Sequence, residues 1–161
     1  IMAKGFNKTP EIIKELRKWS GIKGKIGILG DGELATIGAV QEFGATIKVT
    51  DAMRGYLASQ GLYLRKDTAT IEIPERSYIR STLDDRNTGE AMGKAAKDAD
   101  SLDGKQIMSV MCATAVGRIQ KKMNSGVGPG LSDFTKEQKG SGLSLVDTGR
   151  LRNSISYEVV G

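Results

Sequence analysis

Residues 25–35 read Lys25-Ile26-Gly27-Ile28-Leu29-Gly30-Asp31-Gly32-Glu33-Leu34-Ala35. A short apolar run of strand character enters a G-x-G-x-x-A turn and leaves as a helix, Glu33 to Phe43, with Leu34, Ile37, Val40 and Phe43 on one side. As the first turn of a dinucleotide-binding fold, Gly30 and Gly32 would let the backbone approach a pyrophosphate held at the helix N-terminus. A second strand, Thr46 to Val49, ends near Asp51, about where an acid for the ribose hydroxyls belongs. Three features oppose that fold. Asp31 and Glu33 would repel the phosphates. After Asp51 the pattern turns to helix, hairpin and long helices, with no further strand–helix units. A chain of 161 residues without histidine leaves little room for a substrate domain or an acid–base group. The turn then reads as a Gly-rich strand-to-helix connection, and the fold class as α+β: a small mixed β-sheet packed with helices.

Working outward, Thr9-Pro10-Glu11 has the form of a helix start, with Thr9 as N-cap and Pro10 at the first helical position. Ile12, Ile13, Leu16 and Trp19 follow at helical spacing, and Gly21 ends the run. Thr50 can cap a short helix carrying Met53, Tyr56 and Leu57. Leu62–Arg65 and Thr68–Ile73 read as a β pair turning at Lys66-Asp67, stopped by Pro74. Tyr78 to Leu83 reads as a helical turn and Ala91 to Ala99 as a helix. Asp103, with Gln106 three residues on, opens another helix in the manner of a capping box. Met108, Met111, Cys112, Ala115, Ile119 and Met123 form its apolar stripe, which makes Cys112 a core residue and not a nucleophile. Residues 124–145 then form a long, flexible, Gly-rich loop. Asp147-Thr148 can cap a short helix through Ser154, and Ile155 to Val160 is a closing strand. Two parts result: a basic N-terminal helical arm, 1–24, and an α+β domain, 25–161.

Composition removes whole classes of function. With no histidine and one cysteine, Ser-His-Asp, Cys-His and His-ligated metal sites are excluded, and no intrachain disulfide can form. No catalytic, cofactor-binding or metal-binding residue is assigned. Glycine is abundant, 21 residues against an average usage of about 7%. The net charge is +5, and residues 1–30 supply all of it. Residues 31–161 carry 17 charges of each sign. The excess is therefore local, either a solvated basic helix face bearing Lys14, Arg17 and Lys18 or a contact for a polyanion. No apolar run approaches the roughly 20 residues of a membrane span, and the basic start lacks the apolar region of a secretory signal. No membrane contact is expected.

A family likeness is spread over most of the chain, and its last part takes in Gly130-Leu131-Ser132 to Thr135 and Lys139 ahead of Leu145. Gly38-Ala39-Val40-Gln41-Glu42-Phe43-Gly44, Ile47 to Arg54, Ile73-Pro74-Glu75-Arg76-Ser77-Tyr78-Ile79-Arg80, and Leu145 to Val159 with its Asp147-Thr148-Gly149-Arg150-Leu151 stretch fall in one order. In them the chain resembles the phage virion morphogenesis proteins, the tail-completion family that includes the tail proteins of Mu-like phages. Tyr78 stands where that family usually has Phe. The resemblance implies a structural, non-enzymatic tail-completion or terminator subunit at the head–tail neck. Its implied partners are further copies in a ring, taken as a hexamer, the tail tube protein and head-side connector proteins, with transient contact to packaged DNA. Its implied location is the virion, and the host cytoplasm during assembly. Arg76, Arg80, Arg150, Arg152, Lys14, Arg17, Lys18, Leu131 and Phe134 are the candidate partner contacts, and Arg76 and Arg80 would share one helical face. Phe43 is expected in the core. The competing classes are a dinucleotide-binding protein using Gly30-x-Gly32 and a small DNA-binding regulator.

Overall fold

The computed structural model describes residues 9–30, 32–101, 103–128 and 149–161, the side chain of Glu15 excepted. In chain order they form α1 (Thr9–Lys18), β1 (Lys23–Ile28), α2 (Glu33–Phe43), β2 (Ala45–Lys48), α3 (Asp51–Ser59), β3 (Thr70–Ile73), α4 (Arg80–Leu83), α5 (Arg86–Asp98), α6 (Gly104–Ser125), α7 (Arg150–Asn153) and β4 (Ile155–Val160). Short polar side chains start several helices by satisfying an orphan N–H. Thr50 accepts from Met53 N–H at 3.2 Å, Asp85 from Asn87 N–H at 3.0 Å and Asp103 from Lys105 N–H at 3.0 Å.

The architecture is α+β, as the sequence pattern indicates, with the strands in two antiparallel pairs. β1 pairs with β4 from Lys23↔Val160 to Ile28↔Ile155, and β2 pairs with β3 from Ala45↔Ile73 to Lys48↔Thr70. Both pairings are antiparallel, so the Gly30/Gly32 turn does not open a parallel dinucleotide-binding unit; Asp31 itself lies outside the described residues. The β pair expected between 62–65 and 68–73 also needs correcting. Residues 62–65 form no strand because the Arg54 guanidinium grips their loop, donating to the carbonyls of Leu64 (3.3 Å), Arg65 (2.7 Å) and Thr68 (2.9 Å). β3 turns instead to β2. The greater part of the 124–145 loop, together with Asp147, Thr148, Leu131 and Phe134, lies outside the described residues; α6 runs on to Ser125.

α6 is the axis of the core. Cys112, Ala115, Ile119 and Met123, at spacings of three and four, are buried along one side. Tyr78, Leu151 and Ile155 close over Ile119 and Met123, with Ile26, Ile28, Ile79, Val116 and Val127 packed around them. The β1–β4 pair covers α6 closely enough that a Cβ on Gly24 would collide with the Cys112 sulfur. Burial raises the Cys112 pKa and keeps its thiol protonated.

The segment between Gly44 and Pro74 stands apart from this core. β2 and β3 pair Ile47 with Ile71, and Met53 and Leu57 of α3 are half-buried, yet none of residues 43–75 is buried. Tyr56 and Tyr63 are 65% and 81% exposed. Gly44 starts this excursion with φ +72°, and a Cβ there would lie 2.8 Å from the Ile73 carbonyl and 2.9 Å from Glu75 N. Only glycine fits both constraints. Gly44→Ala should therefore cost roughly 2–4 kcal/mol of stability in chemical denaturation, from backbone strain plus displacement of the Ile73–Glu75 backbone. Gly55→Ala, at an open position inside α3, should stabilise by about 0.5–1 kcal/mol if that helix unfolds with the rest.

Candidate functional site

Glu42, 3% exposed, ends α2 on the inward side and meets the segment that follows β3. Its two carboxylate oxygens collect five donors. Oε2 accepts from the N–H groups of Tyr78 (2.8 Å) and Ile79 (2.9 Å). Oε1 accepts from the Ser77 hydroxyl (2.8 Å), Arg80 N–H (2.9 Å) and Arg80 Nε (3.2 Å). Residues 78–80 lead into α4, so the carboxylate does from a distance what an N-cap residue does locally. Burial alone raises the Glu42 pKa, but the hydrogen bonds from Ile79, Arg80, Ser77 and Tyr78 outweigh it and hold the group below its ordinary 4.5. Tyr78 completes the attachment. Its ring is in the core and its hydroxyl donates to Gly38 O at 3.2 Å. Burial and the nearby Glu42 charge push its pKa up to about 12.

This attachment accounts for two of the candidate contact residues. Arg76 is buried and precedes α4, so it does not share a helical face with Arg80; its guanidinium lies 3.5 Å from Gln41 Oε1, and its N–H donates to Gln41 O at 2.8 Å. Arg80 is half-exposed and turns inward to its own chain, pairing with Glu42 at 3.2 Å and Glu75 at 2.6 Å. Phe43 is 62% exposed and not in the core: its ring lies 4.6 Å beneath the Arg80 guanidinium. The inward residues of α2 are Gly38 and Glu42, and Ile37 and Phe43 face outward. Of the expected apolar stripe, Leu34 and Val40 are half-buried while Ile37 and Phe43 are exposed, so spacing alone did not identify the inward side.

Arg150 and Arg152 come to the C-terminal end of α6. Gln120 Nε2 donates to Arg152 O at 3.3 Å, and Arg152 Nη1 donates to Asn124 Oδ1 at 3.2 Å. Arg118 and Lys121 lie on the last turns of the same helix, and Lys122 Nζ reaches Ser81 Oγ at 2.7 Å. No acidic residue occurs in α6 or α7, and among the described residues none of these five cations makes an ion pair. The carboxylates Asp98, Asp100 and Asp103 sit at the opposite end of α6. The neutral balance of residues 31–161 therefore hides a segregation of charge. Arg118, Lys121 and Lys122 were missed as candidates, although the acid-free run 104–125 was a signal available in the sequence. Lys14, Arg17 and Lys18 are exposed on α1, spaced three and four apart, opposite Ile12, Ile13 and Leu16. Among the described residues no group of three or more His, Cys, Asp or Glu could hold a metal ion, and no helix is long and apolar enough to cross a membrane.

No family model matches the chain, and no solved structure matches it. The chain is similar to the large ribosomal subunit protein bL9 of Rhizobium meliloti (strain 1021), 39% identical over 87 residues. That stretch is 53% of this chain and 44% of the relative, so the chain spans less than half of that protein's length. The likeness is to a ribosomal protein and not to a phage tail protein. It overturns the expectations drawn from the tail-completion resemblance: a virion subunit at the neck, a hexameric ring with tail tube and connector partners, contact with packaged DNA, and location in the virion. Nor does it support the dinucleotide-binding or DNA-regulator alternatives.

The Glu42 attachment can be tested by pH and by mutation. Because its folded-state pKa is depressed, its contribution is fully present above about pH 4.5 and is lost as pH falls through the folded-state value. Glu42→Gln places an amide N–H₂ against N–H donors and should cost roughly 2–4 kcal/mol at neutral pH. Denaturation of both proteins across acid pH should show the difference shrinking as the native carboxylate becomes protonated.

Proposed function

We propose that this chain is a non-catalytic, RNA-associated component of a ribonucleoprotein particle, of the kind to which the ribosomal relative belongs. The observation that carries the proposal is the likeness to that protein. The segregated charge of the structure supports it independently. A polyanion is attracted by clustered cations, and the C-terminal end of α6 with α7 presents five of them that make no ion pair among the described residues and have no acid in either helix. The basic segment before β1 belongs to the same proposal, as an arm that ends where Lys23 and Gly24 join the body by pairing with β4. Lys14, Arg17 and Lys18 would give the arm a second cationic ridge. The only thiol, Cys112, is buried in the core and takes no part.

Fluorescence anisotropy with structured and unstructured RNAs tests the proposal. Binding should weaken steeply between about 50 and 200 mM salt, with log K falling linearly in log salt. An affinity that is undetectable at the low-salt end, or one independent of salt, would remove the proposal.

A further inference from the structure

The cations at the C-terminal end of α6 form a line. Cys112, Ala115, Ile119 and Met123 define the inward side of the helix. Arg118 and Lys121, three residues apart, flank the side turned away from it, and Asn124 follows after three more. Asn124 Oδ1 holds Arg152 Nη1 at 3.2 Å, while Asn153 Oδ1 accepts from Arg152 Nε and Nη2, each at 3.2 Å. Arg118, Lys121 and Arg152 therefore run along the last two turns, over about 9 Å of helix axis between residues 118 and 124. Arg150 is exposed at the start of α7, two residues before Arg152. The helix C-terminus, with its partial negative charge, favours cations here, and neighbouring side chains fix the Arg152 fork.

Resting on the proposed RNA-associated function, we infer that this row is the contact surface for the phosphate backbone of duplex RNA. Proteins that hold unpaired strands stack bases on exposed aromatic rings beside their cations. α6 and α7 contain no aromatic residue; among the described residues the most exposed rings, Phe43, Tyr56 and Tyr63, belong to a different part of the chain, and Tyr157, 37% exposed, meets α6 at Ser109, toward its other end. What remains is a rigid row of charge on a long helix. It suits a regular, rigid array of phosphates read by shape, as duplex RNA is read.

The test uses the full chain, a labelled RNA duplex and one of its strands alone, by anisotropy over a range of salt. The wild-type protein should bind the duplex more tightly than the strand. Arg118→Gln with Lys121→Gln should weaken duplex binding about tenfold and make the salt slope shallower by about 2. Arg152→Gln should act in the same direction. Lys48→Gln with Lys66→Gln, which lie on the excursion between Gly44 and Pro74, should leave both readings unchanged. Thermal unfolding of each variant checks that the fold is intact. If the wild type binds RNA and the Arg118/Lys121 variant binds equally well with the same slope, the surface is wrongly placed while the RNA-associated function stands. Preference for the single strand overturns the duplex assignment. No binding of either RNA removes the function itself.

Discussion

The structure depends on one buried carboxylate. Glu42 sits among five donors from Ser77, Tyr78, Ile79 and Arg80, and without it three successive N–H groups at the entry to α4 would lose their acceptor. Burying a charge is costly unless hydrogen bonds surround it, and here they do. The arrangement fixes where the chain re-enters the body after its excursion. That position sets Tyr78 in the core against Ile119 and Met123, and Tyr78 returns a hydrogen bond to Gly38 on α2. Helix end, loop and core are thus held at one point, by contacts spanning more than 30 residues of sequence.

The proposed basic surface has the opposite character. It lies at the exposed end of α6 and needs no buried polar group. Its organisation comes from what is missing, since α6 and α7 contain no carboxylate to neutralise Arg118, Lys121, Arg150 or Arg152. The two features meet through α4. Lys122 reaches Ser81, whose N–H and hydroxyl both engage Ser77, and Ser77 donates to Glu42. The basic end of α6 is therefore joined by a polar chain to the part of the molecule that Glu42 organises.

Local signals in the sequence gave local structure correctly. Thr9-Pro10 starts α1, Thr50 caps α3, Asp103 caps α6, and the Cys112–Ala115–Ile119–Met123 stripe is buried. Long-range choices were not legible. β1 finds β4 more than 120 residues away, and β3 pairs with β2 because Arg54 takes the carbonyls of the nearer candidate loop. Glu42 and Phe43 are the sharpest case. Spacing assigns Phe43 to the core, yet Phe43 is exposed and its neighbour Glu42 is buried among donors that begin 35 residues downstream. For the basic surface, the acid-free helix was visible, but its union with Arg152 required the contact between α6 and α7. The family likeness was read from four short signatures, each of which also had a purely structural explanation.

The excursion from Ala45 to Ile73 begins and ends at one place, because those two residues are direct partners across the β2–β3 pair. Their Cα atoms are thus only about 5 Å apart. The anchoring carboxylate and the core both lie outside the excursion, on the body side of Gly44 and Pro74. It is consequently an insert whose two ends lie side by side on the body and which adds no residue to the buried core. Its length and surface can be rewritten, or a reverse turn put in its place, while the helix that bears the basic row keeps its packing.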